Sequence, residues 1–210
     1  MLSVITNGNR SVHRNVISAM HVDRKRVFVD RLKWNVPVVD GKYEIDQFDT
    51  EDAVYLVAAD PETGAHWGSV RLLPSTKPHI LGSLYPHLCD GDVPVGEAVW
   101  EITRLCTSPD LNGSWQQVRV WRGLALGCIE YGLAAGIERY TLVTHMKLVP
   151  TVLSAMWNCT PLGLPRPDAG VDLCALAIDV DEPTLHRMRE SYRADQPLAG
   201  FADRPRQKAA

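Results

Sequence analysis

The 210-residue chain has no long apolar run. Its start, Met1-Leu2-Ser3-Val4-Ile5-Thr6-Asn7, lacks the charged opening and extended apolar core of a signal peptide, and no stretch approaches a membrane span. No membrane partner is expected, and the cytoplasm is the expected location. Basic charge is not in excess: 22 Lys and Arg stand against 25 Asp and Glu, with no basic tail, which argues against nucleic acid or another polyanion as a partner. The five cysteines, at 89, 106, 128, 159 and 174, are odd in number and lack paired spacing. A disulfide framework or C-x-x-C zinc site is thereby disfavoured, and reduced, mostly buried thiols are expected. The seven histidines are scattered, and His87-Leu88-Cys89, two ligand types on one strand face, finds no second pair. No metal site and no cofactor are expected. There is no P-loop, no G-x-G-x-x-G and no G-x-S-x-G, so phosphoryl transfer, hydride transfer and serine hydrolysis lack their usual sequence support.

What the chain does contain is patterned for one globular domain over 1–210, undivided by repeats, with 196–210 expected to be a flexible tail. From Asn9 to about Leu32, Val12, Val16, Ile17, Met20, Val27, Phe28 and Leu32 recur near helical period, giving an amphipathic helix broken at most once. Arg24 and Phe28, four apart, share one side of that helix and can face one ligand. Pro37 ends it by biasing Val36 out of helical dihedrals. Tyr43 to Asp49, dense in acids, reads as an ordered loop, and Lys33 to Asp49 as a flap too poor in apolar residues to pack firmly alone. Strands are expected over Ala53–Ala59 and Trp67–Leu73, joined by a Pro- and Gly-bearing hairpin turn. Pro74 to Gly91 reads as irregular or short-helical. Further on come a helix from Trp115 to Leu133 stopped by Gly136, a strand over Tyr140–Thr144, and a helix over Lys147–Trp157 with Pro150 in its first turn. A strand over Val171–Ile178 and a helix over Glu182–Tyr192 follow. A meander of strands followed by strand–helix alternation implies an α/β, three-layer sandwich: a mixed central sheet with helices on both faces.

The chain is organised around Val99-Trp100-Glu101-Ile102-Thr103-Arg104-Leu105, a buried-strand pattern that carries an acid and a base. Charges in such a run are costly unless paired, and residues three apart on a strand point to opposite faces. Glu101 and Arg104 therefore each need a partner from elsewhere, and Arg24, Glu44, Asp46, Asp49 and Arg71 are available. From charges alone, a structural ion-pair network is the simpler reading. The spacing adds a second: Arg24 with Phe28, then Trp34, Asp46 with Asp49, Arg71, and Glu101 with Arg104 together resemble the signature of the acyl-homoserine-lactone synthases, the quorum-sensing signal makers of bacteria.

The resemblance implies the fold of the GCN5-related N-acetyltransferases, with the donor in a V-shaped gap between central strands. It also implies a two-part reaction. An acyl chain passes from a thioester, carried by acyl-carrier protein or coenzyme A, to the amine of S-adenosylmethionine. The carboxylate then closes the lactone and methylthioadenosine leaves. On this reading Glu101 is the base, directly or through a water. Arg24, Arg71 and Arg104 hold the acids and the substrate carboxylate, Asp46 and Asp49 order the flap, and Phe28 and Trp34 wall the nucleoside or face the sulfonium. Thr103 adds a polar contact near the thioester. Tyr85 stands where the family usually has Phe before Pro86, and Thr144 and Met146 are candidate pocket residues. The acetyltransferase phosphate loop is degraded, with Val120 in place of Arg or Gln. The rival readings are an acetyl-CoA-dependent amine N-acetyltransferase and a catalytically silent ligand-binding module of the same fold.

Overall fold

The strands of the computed structural model, which describes residues 2–111 and 113–194, follow the β-branched and aromatic runs of the sequence. They are β1 (Leu2–Ile5), a short hairpin of β2 (Val38–Val39) and β3 (Tyr43–Glu44), β4 (Val54–Ala59), β5 (His66–Pro74), β6 (Val99–Thr107), β7 (Arg139–His145), β8 (Cys159–Pro161), β9 (Arg166–Asp168) and β10 (Val171–Asp179). Among the described residues, eight of them form one sheet in the order β1-β4-β5-β6-β7-β10-β8, with β9 also paired to β10. The sheet is antiparallel from β1 to β6 and again from β7 to β10, while β6 and β7 run parallel. The sequence reading omitted β1, β8 and β9, which are short, and β8 ends at a proline. The tail expected over 196–210 lies outside the described residues.

Helices cover both faces. On one side α3 (Ser114–Ala135) places Leu124, Cys128 and Ile129 in a core with Leu56, Val70, Leu72 and Ile102, and α5 (Glu182–Tyr192) joins through Leu185 and Met188. Fully burying each such side chain contributes roughly 1.5–3 kcal/mol. Gly136, at φ +74°, ends α3 as a left-handed cap. On the other side α1 (Arg14–Arg24) packs Met20 with Phe48, Tyr55 and Leu73. Its run is more complex than the helix with at most one break expected: a 3-10 turn over Asn7–His13 precedes it and a π-helical turn over Lys25–Arg31 follows. The expected helix over Lys147–Trp157 is only α4 (Val149–Leu153), with Pro150 in its first turn, because Met156 takes φ +66° and turns the chain toward β8. Pro74 to Gly91 holds α2 (Ile80–Leu84) and a 3-10 turn over Pro86–Leu88, so His87 does not share a strand face with Cys89. Among the described residues, no helix is long and apolar enough to cross a membrane.

Two departures from regular pairing make the site. Strands β6 and β7 pair only from Val99 to Glu101 against Arg139 to Thr141, and beyond Glu101 they part. Strand β6 also carries a bulge: Ser69 faces Cys106 and Arg71 faces Thr103, so β6 has one extra residue, and Arg104 sits at φ +51°. A left-handed non-glycine residue costs on the order of 1–3 kcal/mol. The bulge overturns the expectation that Glu101 and Arg104 point to opposite faces, because the added residue brings Arg104 to the side carrying Glu101 and Thr103. They still do not pair with each other.

Close packing of α3 on the bulged region makes Gly68 critical, since a Cβ there would lie 2.7 Å from Val120 Cγ1 and 3.0 Å from the Cys106 carbonyl oxygen. Gly68→Ala is expected to destabilise the protein by ~1–3 kcal/mol through overpacking, read as a lower urea midpoint. An unchanged midpoint would mean that helix and sheet are less tightly apposed there.

Candidate active site

The charged residues singled out in the sequence converge on one buried network. Arg24, the last residue of α1, donates from Nε to Glu44 of β3 and from Nη1 and Nη2 to Asp49 at 2.7 and 2.9 Å. Arg71 of β5 grips Asp46 through Nη1 and Nη2 at 2.6 and 3.0 Å, and its Nη1 lies 2.9 Å from Asp49. Arg104 donates to Glu44 from Nε at 3.1 Å and to Asp46 from Nη2 at 2.7 Å. Three guanidinium groups thus meet three carboxylates, each side chain no more than 8% exposed. Tyr55 donates its hydroxyl to Asp49 at 2.8 Å, and the Asp46 backbone N–H donates to the same carboxylate. Burial alone would raise the Asp49 pKa, but Arg24 and Arg71 hold it well below the ordinary carboxylate range. The buried His21 hydrogen-bonds the Glu44 carbonyl through Nδ1, and burial together with Arg24 lowers its pKa.

This geometry corrects three expectations. Arg24, Asp49 and Arg71 do not line the cleft, because their polar atoms are taken up by one another and by Glu44 and Asp46. Arg24 and Phe28 do not face one ligand. The π-turn changes the angular step per residue, sending Arg24 into the network and Phe28 toward the cleft. The flap is also divided: Asp46 and Asp49 are pinned by the network and Phe48 is buried, while Leu32, Lys33, Asn35 and Pro37 remain exposed.

The cleft itself has two lobes. A largely apolar cavity of about 290 Å³ lies between the parted strands, walled by Phe28, Ile102, Leu105, Leu142, Thr144 and Trp157 among others. A larger cavity of about 510 Å³ carries the polar groups Asp46, Tyr85, Glu101, His145 and Asp168. Leu32, Trp34, Ile102, Thr103, Arg104 and Val143 line both, so they form the seam. There the Trp34 ring is sandwiched between Phe28, at 4.8 Å between centroids, and His145, at 5.6 Å. The Arg104 guanidinium lies 5.5 Å from the Phe28 centroid and 5.8 Å from that of Trp34, within cation–π range. Thr103 accepts from Arg71 Nε at 2.9 Å.

Glu101, fully buried, accepts the backbone N–H groups of Ile80 and Leu81, both at 2.7 Å. Burial raises its pKa to about 7, opposed by those two N–H groups and by Arg71 and Arg104. A carboxyl group that changes charge near neutrality is suited to move a proton at physiological pH. Met146 lies outside both cavities and is exposed. His145, Asp168, Trp121 and Trp157, which do line the cleft, were not singled out. His145 is one of seven scattered histidines, Trp121 falls in the apolar period of the helix expected over Trp115–Leu133, and Trp157 is only the last residue of the helix expected over Lys147–Trp157. Asp168 sits on the unrecognised β9, whose hairpin with β10 was signalled only by Gly170.

Parted parallel strands beneath a two-lobed cleft are the architecture of the N-acetyltransferase fold. A Lactobacillus plantarum protein assigned to the N-acetyltransferases superposes with a TM-score of 0.57 over 86% of this chain and 99% of that one, at 15% identity, a likeness of fold alone. The chain belongs to the autoinducer synthase family, whose profile matches residues 9–188, and is an enzyme of the acyl-homoserine-lactone synthase type. An acyl-homoserine-lactone synthase from Rhizobium etli is 36% identical over 172 residues, covering 81% of this chain and 80% of its own. The CoA-dependent acyl-homoserine lactone synthase BjaI, solved with SAM and isopentyl-CoA, superposes with a TM-score of 0.85 at 26% identity over 94% of this chain and 91% of that one.

Arg24→Ala would leave Glu44 and Asp49 buried without their main cation, and a stability loss of ~3–5 kcal/mol at pH 7 is expected. Because the folded pKa of Asp49 is depressed, its contribution is full above the unfolded value near ~3.9 and is lost as pH falls below it. The gap between wild type and variant in urea midpoint should therefore narrow below about pH 4. A gap that is constant with pH would detach Arg24 from the Asp49 charge.

Proposed function

We propose that the larger cavity takes S-adenosylmethionine, the apolar cavity takes the acyl group of an acyl-coenzyme A thioester, and the two react at the seam. The carrying observation is the seam itself: Thr103, Arg104 and Trp34 line both lobes, and Glu101 opens onto the polar one. The substrate's ammonium and sulfonium suit a lobe lined by Asp46, Glu101 and Asp168. Its carboxylate suits Arg104, whose Nη1 is left over from the bonds that Nε and Nη2 make to Glu44 and Asp46. Coenzyme A is favoured over acyl-carrier protein by the close superposition on the CoA-dependent enzyme solved with its thioester. Val120 faces Gly68 on the sheet, so the phosphate grip does not come from that side chain. The cytoplasm, where both substrates are made, is the proposed location.

In the first step Glu101 takes a proton from the ammonium, directly or through a water, since the protonated amine has no lone pair. The neutral amine attacks the thioester carbonyl, a C–N bond forms and the C–S bond breaks. One of the two remaining N–H protons goes to the departing thiolate, the other stays on the amide nitrogen, and Glu101 returns its proton to solvent. In the second step the substrate carboxylate attacks the methylene carbon of its own amino-acid chain beside the sulfonium. A C–O bond closes the lactone as the C–S bond breaks, and the sulfur departs neutral as methylthioadenosine. Arg24, Asp49 and Arg71 act as positioning residues, holding Asp46 and Arg104 at the seam. Tyr85 and Thr144 line the polar and apolar lobes respectively.

With S-adenosylmethionine and an acyl-CoA, free thiol and methylthioadenosine should appear in equal amounts, whereas thiol alone would indicate simple amine acetylation. Turnover should rise with pH through about 7, where Glu101 becomes the carboxylate. Glu101→Gln should lose ~10²–10⁴-fold in kcat with folding intact and should lose that pH dependence. Near-native turnover by the folded variant would remove Glu101 from the role of base.

A further inference from the structure

The apolar lobe is lined by two tryptophans that the reaction itself does not require. Trp121 of α3 and Trp157, on the segment between α4 and β8, both line it, with ring centroids 6.4 Å apart and planes inclined at 40°. Trp157 is only 7% exposed, and its indole N–H is buried with no acceptor among the described residues. Other lining residues are branched aliphatic side chains on elements of fixed register: Ile102 and Leu105 on β6, Leu142 and Val143 on β7.

Resting on the assignment of this lobe to the acyl group, we propose that Trp121 and Trp157 set acyl specificity, limiting the donor to compact aromatic or branched acyl groups and excluding long linear chains. A linear chain entering from the seam between β6 and β7 meets indole faces with two side-chain torsions each, too few to bend away as a methionine or leucine would. An aromatic acyl group gains instead. Two inclined indoles offer offset or edge contacts worth ~0.5–1.5 kcal/mol beyond area burial.

The test is a panel of coenzyme A thioesters, benzoyl, cinnamoyl, isovaleryl, hexanoyl and dodecanoyl, with methylthioadenosine release as the readout. Wild-type kcat/KM should favour the best compact donor over dodecanoyl by at least about tenfold, the scale of a single methylene misfit. Trp121→Ala should shrink that ratio by about tenfold or more by raising the dodecanoyl rate. Trp157→Leu, which removes the aromatic ring, should lower cinnamoyl and benzoyl turnover relative to isovaleryl. Ratios within one variant are independent of how much protein is folded, so a purely structural role for either indole would leave them unmoved. A wild-type preference for dodecanoyl, or unchanged ratios in both variants, overturns the proposal. Absence of methylthioadenosine with every donor would instead overturn the functional assignment beneath it.

Discussion

Everything at the cleft depends on one buried arrangement, the three arginines and three carboxylates that join α1, the β3 segment, β5 and β6. Removing each ion from water costs several kcal/mol, and mutual attraction offsets that only where geometry is close and the remaining hydrogen bonds are met. Here both hold: the bonds are short, bidentate at Asp46 and Asp49, and supplemented by Tyr55 and backbone N–H groups. Such a network is a poor source of stability compared with apolar packing. It does fix a register, setting the acidic loop over the sheet and holding Arg104 at its bulge.

Position matters because the sheet opens directly beside it. Once β6 and β7 part after Glu101, backbone and side chains that would have closed the core become the walls of two lobes, one apolar and one polar. Charge is confined to one side of the opening. Glu101 lines that side, buried and, among the described residues, without a salt bridge, and its raised pKa follows from burial that two backbone hydrogen bonds and the charges of Arg71 and Arg104 only partly offset. The same burial that makes the network expensive makes this carboxyl useful.

Much of this was legible in the chain. The need of Glu101 and Arg104 for outside partners follows from their place in an apolar strand, and the supply of partners from Arg24 to Arg71 could be read by type. Three features could not. Arg104 takes a left-handed conformation that nothing about arginine announces, so alternation assigned it the wrong face. The π-turn after Arg24 leaves the apolar spacing of Val27 and Phe28 compatible with an ordinary helix, so the divergence of Arg24 and Phe28 was hidden. Trp121 fits the apolar period of a helix and Trp157 has no pattern of its own, and only the parting of the strands makes both of them cavity walls. Each miss is a tertiary effect overriding a local rule that was correctly applied.

The central claim is that one cleft divides its substrates between two lobes that meet at a single seam. Amide hydrogen exchange with each ligand alone tests it: S-adenosylmethionine without a donor, and a thioether analogue of an acyl-coenzyme A without S-adenosylmethionine. S-adenosylmethionine should slow exchange over residues 33–37, 80–85 and 168–171, the acyl analogue over 119–124 and 148–157, and both at the seam residues 102–104. Protection of 148–157 by S-adenosylmethionine, or of 33–37 and 168–171 by the acyl analogue with 148–157 unchanged, would contradict the division.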